Sequence, residues 1–175
     1  MALNMHELTG VEKTFGESEI IVSKTDLKGR ITYANNIFLK VAGFTLDEIM
    51  GQPHNIIRHP DMPRCVFKLL WDTLSQEKEI FAYVMNRSKD GSHYWVIAHV
   101  TPSYDVNGQL TGYHSNRRVP KRETLENVII PLYTRLLAEE QAHKNSKEGM
   151  QASTQILLDI LNEKGIGYDE LILSI

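Results

Sequence analysis

The sequence predicts an α+β fold in which a five-stranded antiparallel sheet carries short helices on one face, followed by a C-terminal helical extension. Three observations favour it. Two short β-branched runs near the N-terminus are joined by a tight turn. Three longer strand-like runs follow later, separated by Asp-Gly and Asn-Gly turns that are typical of hairpins. Short amphipathic helices lie between the two groups. Strands are predicted at residues 19–26, 30–35, 79–88, 93–104 and 110–119.

The predicted helices begin at recognisable caps. Asn35 is a candidate N-cap for a first short helix, and Thr45 and Glu48 have capping-box spacing for a second. Residues 63–76 form a stronger amphipathic pattern with a proline in the first turn, and Asp61 is its predicted N-cap.

The composition changes after Pro120, where a mainly helical segment begins that we expect to be interrupted at Pro131. It ends at the Gly-Ile-Gly of residues 165–167. Part of it carries an apolar stripe that must be buried on the sheet, on a second copy of the chain or on another protein. The stripe consists of Ile156, Leu157, Ile160 and Leu161. The predicted organisation is an N-terminal segment (1–17), a central domain (18–120) and a C-terminal helical extension (121–175).

Bulk properties exclude several classes of function. The 175 residues carry a formal net charge of −3, so bulk electrostatics do not favour nucleic acid or an anionic membrane. No apolar run approaches the length of a membrane span, and the polar N-terminus lacks the apolar core of a signal peptide. The only cysteine, Cys65, suits a reducing compartment. We expect a cytoplasmic protein with no nucleic-acid partner and no membrane insertion.

Residues 52–63, QPHNIIRHPDMP, concentrate polar and rigid side chains in one connector. The guanidinium of Arg58 presents a fork of donors suited to phosphate, or it pairs with Asp61 on the surface. His54 and His59 are five residues apart and have no third ligand nearby, so a metal site is not predicted. One of them could be an axial haem ligand.

Two asparagines and several aromatic residues are further candidates. Asn35 caps a helix or contacts a ligand, whereas Asn86 in mid-strand is harder to explain structurally, because asparagine is depleted in strands. By alternation Tyr94 and Trp95 face opposite sides of the sheet, so one of them can line a pocket and the other can contact the C-terminal helices or a partner. Phe67 and Trp71 are expected core residues or ring contacts. The basic run of residues 116–118 has no aromatic platform and reads as a solvated face.

The pattern up to residue 120 resembles a PAS domain. The segments ITYANNIFLKVAGFT, GQPHNIIRHPDMP, LLWDTL and NRSKDGSHYWV narrow the match, because they are similar to the flavin-binding PAS domain of bacterial aerotaxis receptors. The similarity covers roughly residues 18–135. It implies non-covalently bound FAD, with redox change passed outward through the sheet. The family's flavin-associated positions fall on Asn35, His54, Arg58, His59, Asp61, Phe67, Trp71, Asn86 and Tyr94.

The resemblance also implies a partner. We expect no membrane-anchor or signalling segments of an aerotaxis receptor, and the chain is similar instead to the soluble PAS subunit of bipartite energy-taxis systems. We expect it to signal through a chemoreceptor or another output protein, as a homodimer. No nucleophile–base pair or nicotinamide fingerprint is present, so an enzyme is not expected.

One departure keeps an alternative open. Ile80 and Ala82 stand where the family often has tryptophan and glycine, so an indole would be missing near the flavin ring and a methyl group would approach it. The alternative function is a PAS dimerisation or interaction module without flavin, whose pocket is empty or holds haem or another small ligand.

Overall fold

The five predicted strands form one antiparallel sheet of order β2-β1-β5-β4-β3, which confirms the α+β prediction. The computed structural model describes residues 5–175, so residues 1–4 of the expected N-terminal segment lie outside it. The first two strands form the predicted hairpin. The strands are Ile21–Asp26 (β1), Ile31–Ala34 (β2), Ile80–Arg87 (β3), His93–Tyr104 (β4) and Leu110–Arg118 (β5).

Three helices between β2 and β3 pack on one face of this sheet, which we call the inner face. The Asn35 side chain accepts a hydrogen bond from the backbone N–H of Phe38 and caps the first helix. Thr45 and Glu48 form the predicted capping box of the second. The connector adds a single 3₁₀ turn, His54–Ile57. The helices are Asn36–Ala42 (α1), Leu46–Ile49 (α2) and Arg64–Leu74 (α3).

The helical extension differs from its prediction at Pro131. The helical run continues through this residue, which lies in the first turn of α5, so the expected interruption does not occur there. A π-helical turn, Leu125–Ile129, precedes it. The helical run is interrupted instead at residues 143–145. The helices are Arg122–Thr124 (α4), Ile130–Ala142 (α5), Ser146–Lys164 (α6) and Tyr168–Ser174 (α7).

The extension covers the edge strand β3. The hydroxyl of Tyr133 on α5 donates to the carbonyl oxygen of Tyr83 at 2.7 Å. The carboxylate of Asp169 on α7 accepts from the backbone N–H of Phe81 at 2.9 Å. Trp95, on the outer face, lies 6.1 Å from Tyr133 between ring centroids, which confirms that it contacts the C-terminal helices. An edge that would otherwise expose its backbone groups is therefore closed within the chain.

The apolar stripe of α6 is partly buried within the chain. Leu157 and Leu161 are 2% and 8% exposed, whereas Ile156 and Ile160 are half-buried. Helix α6 packs against α5 and α3, so neighbouring helices cover part of the stripe, which was expected to meet the sheet, a second copy or another protein. None of the helices within residues 5–175 is long and apolar enough to cross a bilayer.

Candidate ligand-binding site

A cavity of about 330 Å³ lies between the inner face of the sheet and helix α3. This volume falls in the range of small-molecule sites. Apolar side chains from both layers form most of its wall, and polar side chains lie at its two ends. The apolar lining residues include Ile57, Phe67, Leu70, Leu74, Val84, Ala98 and Val100.

One end of the cavity, its polar floor, consists of Ser23, His54 and Arg117. The Nη2 group of Arg117 donates to Ser23 Oγ at 2.8 Å and lies 2.7 Å from His54 Nε2. Because a guanidinium has only donors, His54 Nε2 is the acceptor and the imidazole proton lies on Nδ1. Burial, together with the Arg117 charge, lowers the pKa of His54 to about 3. The imidazole is therefore neutral.

Arg117 is a buried cation without a counter-ion. It is 4% exposed, and burial lowers the pKa of its guanidinium to about 10. No carboxylate within residues 5–175 forms a salt bridge with it. A buried charge in this situation is costly, since desolvation is not offset by a partner. An anionic or strongly accepting group in the cavity would offset it.

Several polar atoms of the lining have no protein partner. In the described part of the chain, no hydrogen bond reaches Thr25 Oγ1, Asn86 Nδ2, Ser115 Oγ or Arg117 Nη1, although all four are buried. Buried polar atoms in folded proteins are nearly always satisfied. Donors and acceptors concentrated on one cavity fit a polar ligand that carries both.

The other end of the cavity, its mouth, carries cations and aromatic rings. The Arg58 guanidinium stacks 4.1 Å from the centroid of Phe67, and its pKa is lowered, chiefly by burial. Arg64 and Lys68 also line the cavity and are more open to solvent, as is Trp71, which is 44% exposed. Lys68 is paired with Asp72. Arg58 and Arg64, which form no salt bridge with a carboxylate within residues 5–175, favour an anionic group such as a phosphate at this opening.

The connector and strand β3 are joined at the cavity. An isolated antiparallel bridge pairs Arg58 with Asn86, and Met85 N–H donates to Met62 Sδ at 3.2 Å. This pairing sets Arg58 beside Asn86, although 28 positions separate them in sequence. Part of the polar and rigid chemistry of the connector is thereby explained, since its backbone docks on the strand edge while its side chains form a cavity wall.

The structure brings five of the nine sequence-predicted site residues to the cavity and places four elsewhere. Those on the cavity are His54, Arg58, Phe67, Trp71 and Asn86. Trp71 lies at the mouth and is not a core residue, because it is 44% exposed. Its ring lies edge-on against Tyr113, with centroids 5.6 Å apart. Those outside the lining are Asn35, His59, Asp61 and Tyr94.

Asn35 and Tyr94 do not line the cavity and lie among backbone groups and core side chains, respectively. The Asn35 amide is fully used by backbone groups, since Oδ1 accepts from Val22 and Phe38 and Nδ2 donates to Ile20. Tyr94 faces the core and is fully buried, and burial raises its pKa to about 12. Its hydroxyl has no hydrogen-bond partner within residues 5–175.

His59 and Asp61 lie away from the cavity, and the predicted cap of α3 is wrong. His59 is buried edge-on against the ring of His93, with centroids 5.6 Å apart, and burial lowers its pKa. Asp61 is exposed, and its backbone N–H donates to His59 Nδ1. The residue before α3 is Pro63, which has no side chain that can accept, and Glu140 of helix α5 binds the first N–H groups instead.

Sequence reasoning missed Arg117, the residue at the centre of the polar floor. The sequence predicts a solvated face for the basic run of residues 116–118, which is correct for exposed Arg118 and wrong for its buried neighbour. Strand alternation could have identified Arg117 as a site residue, because it puts Arg117 on the same face of the sheet as Ser115 and Tyr113.

Comparison with known proteins agrees with this architecture. Residues 31–117 match the family model of the PAS fold. Residues 31–117 therefore form a PAS domain. The chain is also 44% identical to the aerotaxis receptor of Escherichia coli over 120 residues, which are 67% of this chain and 23% of the receptor.

More distant relatives share the same domain. The nitrogen fixation regulatory protein of Klebsiella pneumoniae is 28% identical over 102 residues, 58% of this chain and 21% of that protein. The chain thus spans less than a quarter of the length of either curated relative. Among solved structures, a PAS domain from Colwellia psychrerythraea superimposes with a TM-score of 0.53 at 22% identity, covering 58% of this chain and 86% of that one. A light-oxygen-voltage domain, solved in work on a flavin analogue, superimposes with a TM-score of 0.55 at 20% identity. The match covers 66% of this chain and 87% of that one.

Proposed function

We propose that this protein is a sensor module that binds FAD without a covalent bond and signals a redox change to a partner protein, with no catalytic activity of its own. The observation that carries the proposal is the cavity with an uncompensated Arg117 and several unsatisfied polar atoms. The similarity to the aerotaxis receptor supports a flavin as the ligand.

The residues present fit the parts of a flavin dinucleotide. The pyrimidine edge of a flavin has both donors and acceptors, which suits the Asn86 amide and the Arg117 guanidinium. The diphosphate is anionic, which suits Arg58 and Arg64 at the mouth. A bound flavin supplies reversible electron uptake. The protein's contribution is a set of charges and hydrogen-bonding groups whose contacts differ between the two redox states, as any ligand-driven switch requires.

Two sequence features argue against a bound flavin, and their positions in the fold weaken both arguments. Ile80 and Ala82, which replace the family's tryptophan and glycine, are buried but do not line the cavity. The apolar stripe of α6, which suggested an interaction module, is partly covered by the chain's own helices.

Haem fits the cavity less well than flavin. An axial ligand must offer a free imidazole nitrogen. His54 Nε2 already accepts from Arg117, and His59 lies outside the lining.

The first experiment is a visible absorption spectrum of freshly purified protein before and after dithionite, followed by titration of the apoprotein with FAD, FMN and riboflavin. We expect a two-band flavin spectrum that bleaches on reduction, and tighter binding of FAD than of riboflavin because of the cations at the mouth. A colourless protein that also fails to take up FAD would contradict the proposal, and a Soret band would replace flavin by haem.

The proposed signalling function is tested by measuring binding to a partner protein. We propose that the partner is a chemoreceptor or another signalling protein and that the module acts as a homodimer. Binding of the oxidised and the dithionite-reduced protein to a cytoplasmic receptor fragment should differ. Equal affinities would rule out redox signalling through that partner.

A further inference from the structure

Glu140 places a buried carboxylate at the start of the helix that forms the cavity wall. It is 8% exposed, although it lies on helix α5 far along the chain. Its Oε2 accepts from the backbone N–H of Arg64 and its Oε1 from that of Cys65, both at 2.9 Å. The first N–H groups of a helix lack partners within the helix, and the helix dipole favours an anion there. Glu140 therefore acts as the N-cap that α3 lacks locally.

The helix capped in this way is a major wall of the cavity. Phe67, Leu70, Trp71 and Leu74 of α3 all line it. The capping residue thus fixes the position of the wall through its backbone, without touching the cavity itself. Its charge also reaches the mouth, where it raises the pKa of Arg58 against the larger effect of burial.

Helix α6 is tied to the same point and contributes to the cavity directly. Ser153 Oγ donates to Glu140 Oε1 at 2.9 Å. The Arg64 guanidinium donates to the carbonyl oxygen of Ser146 at 3.3 Å, and the side chain of Met150 lines the cavity. Both helices of the α5–α6 hairpin, Ile130–Lys164, therefore contact the start of α3, α5 through Glu140 and α6 through Ser146.

The two helices of the hairpin approach closely at this position. A Cβ atom on Gly149 would lie 2.4 Å from the carbonyl oxygen of Glu140, so only glycine permits the observed contact. Glycine lowers helix stability. A glycine at position 149 shows that the two helices cross closely at Glu140. A small displacement of the hairpin would therefore move the capping carboxylate.

We propose that the α5–α6 hairpin is a wall of the ligand pocket, latched onto α3 by Glu140, so that docking of the hairpin and binding of the ligand stabilise each other. Glu140 is a positioning residue in this scheme. The reciprocity follows from linkage, because a ligand that contacts α3 and Met150 binds the docked form better than the open one. The ligand half of the proposal rests on the proposed function.

The test compares Glu140→Gln with Glu139→Gln in the full chain. Glutamine keeps the size of Glu140 but turns an N–H₂ group toward backbone donors. Glu139 is a matched control on the same helix, since it pairs with His143 at the surface. Hydrogen exchange followed by mass spectrometry should show amides of residues 146–164 exchanging about tenfold faster in Glu140→Gln only. FAD titration should show an affinity lower by about the same factor. Ser153→Ala, which removes one donor, should shift both readouts in the same direction by less.

The outcomes separate this inference from the proposed function. Exchange and affinity in Glu140→Gln that match those of Glu139→Gln would overturn the latch. FAD that binds the wild type, as seen by its spectrum, without slowing exchange in residues 146–164 would overturn the coupling. If the wild type takes up no FAD, the proposed function fails, whereas faster exchange in Glu140→Gln and Ser153→Ala would still establish the latch.

Discussion

Arg117 Nη2 lies 2.7 Å from His54 Nε2 on the floor of the cavity, so that a buried guanidinium donates to a neutral imidazole. The pair joins β5 to the connector, which come from distant parts of the chain. Within residues 5–175, neither side chain forms a salt bridge with a carboxylate. The floor therefore holds a positive charge ready for a ligand, and the unliganded protein bears the cost of that charge.

Stability should fall on acidification because of His54. Its pKa is about 3 in the folded chain, against an ordinary value of 6.5. Between these values the unfolded chain binds a proton that the folded chain does not, so stability rises with pH across this window and is lost as pH falls. The effect at pH 5 is about 2 kcal/mol relative to neutral pH.

Urea unfolding at pH 5, 6 and 7.5 measures this effect. His54→Gln should show a smaller loss of unfolding free energy between pH 7.5 and 5 than the wild type. Some slope remains, because burial also lowers the pKa of His59 and of His114. Identical pH profiles for the two proteins would show that His54 is not held neutral.

Arg117→Gln should weaken ligand binding without destabilising the protein. We expect FAD affinity to fall about tenfold or more, because a charged donor to the ligand is lost. The unfolding free energy of the apoprotein should stay level or rise, since a buried unpaired charge is removed. Arg118→Gln changes the exposed neighbour and is the matched control. The idea fails if both variants bind FAD as the wild type does.

Asn35 and Asn86 should respond in opposite ways. Asn35→Ala removes a helix cap and two further hydrogen bonds, so the unfolding free energy should drop by about 2 kcal/mol. The folded fraction should still bind FAD normally. Asn86→Leu replaces an unsatisfied amide by an apolar group of similar shape, so stability should hold while FAD affinity falls. Urea unfolding and absorption titration measure the two effects. The reverse pattern would move the ligand contact to Asn35.

Tyr133→Phe should loosen the cover of the sheet edge. The hydroxyl bonded to the Tyr83 carbonyl is lost, at a cost of about 1 kcal/mol. Tyr33→Phe, which changes an exposed tyrosine, is the control. Urea unfolding gives the free energies, and hydrogen exchange in β3 should rise in the first variant only. Equal unfolding midpoints would mean that α5 does not hold the edge.

Local patterns predicted most of the architecture. The hairpin turns, the Asn35 cap and the Thr45–Glu48 capping box involve residues within a few positions of one another, where spacing alone sets the geometry. The motif of residues 52–63 led to Arg58 and His54 for a similar reason, because its resemblance to a known family carries their placement. Asn86 was suspected from a local conflict, since an amide in mid-strand contradicts strand preference.

The failures share a different cause. Asp61 was expected to cap α3, yet a carboxylate 75 positions beyond Cys65 does so. The basic run of residues 116–118 was assigned to solvent, yet one of its side chains is buried against a histidine more than sixty positions away. Both contacts depend on which surfaces meet after folding, and no pattern within a short window records that.

The sequence by itself determined the strands, the early helices and the family, because these follow from periodicity, turn residues and a motif read within a few residues. The tertiary structure alone decided that the C-terminal helices close the edge of the sheet and reach the cavity, and that Arg117 lies on its floor. These features arise from long-range packing, where the burial of one apolar face selects among many surfaces and brings charges together that the chain keeps far apart.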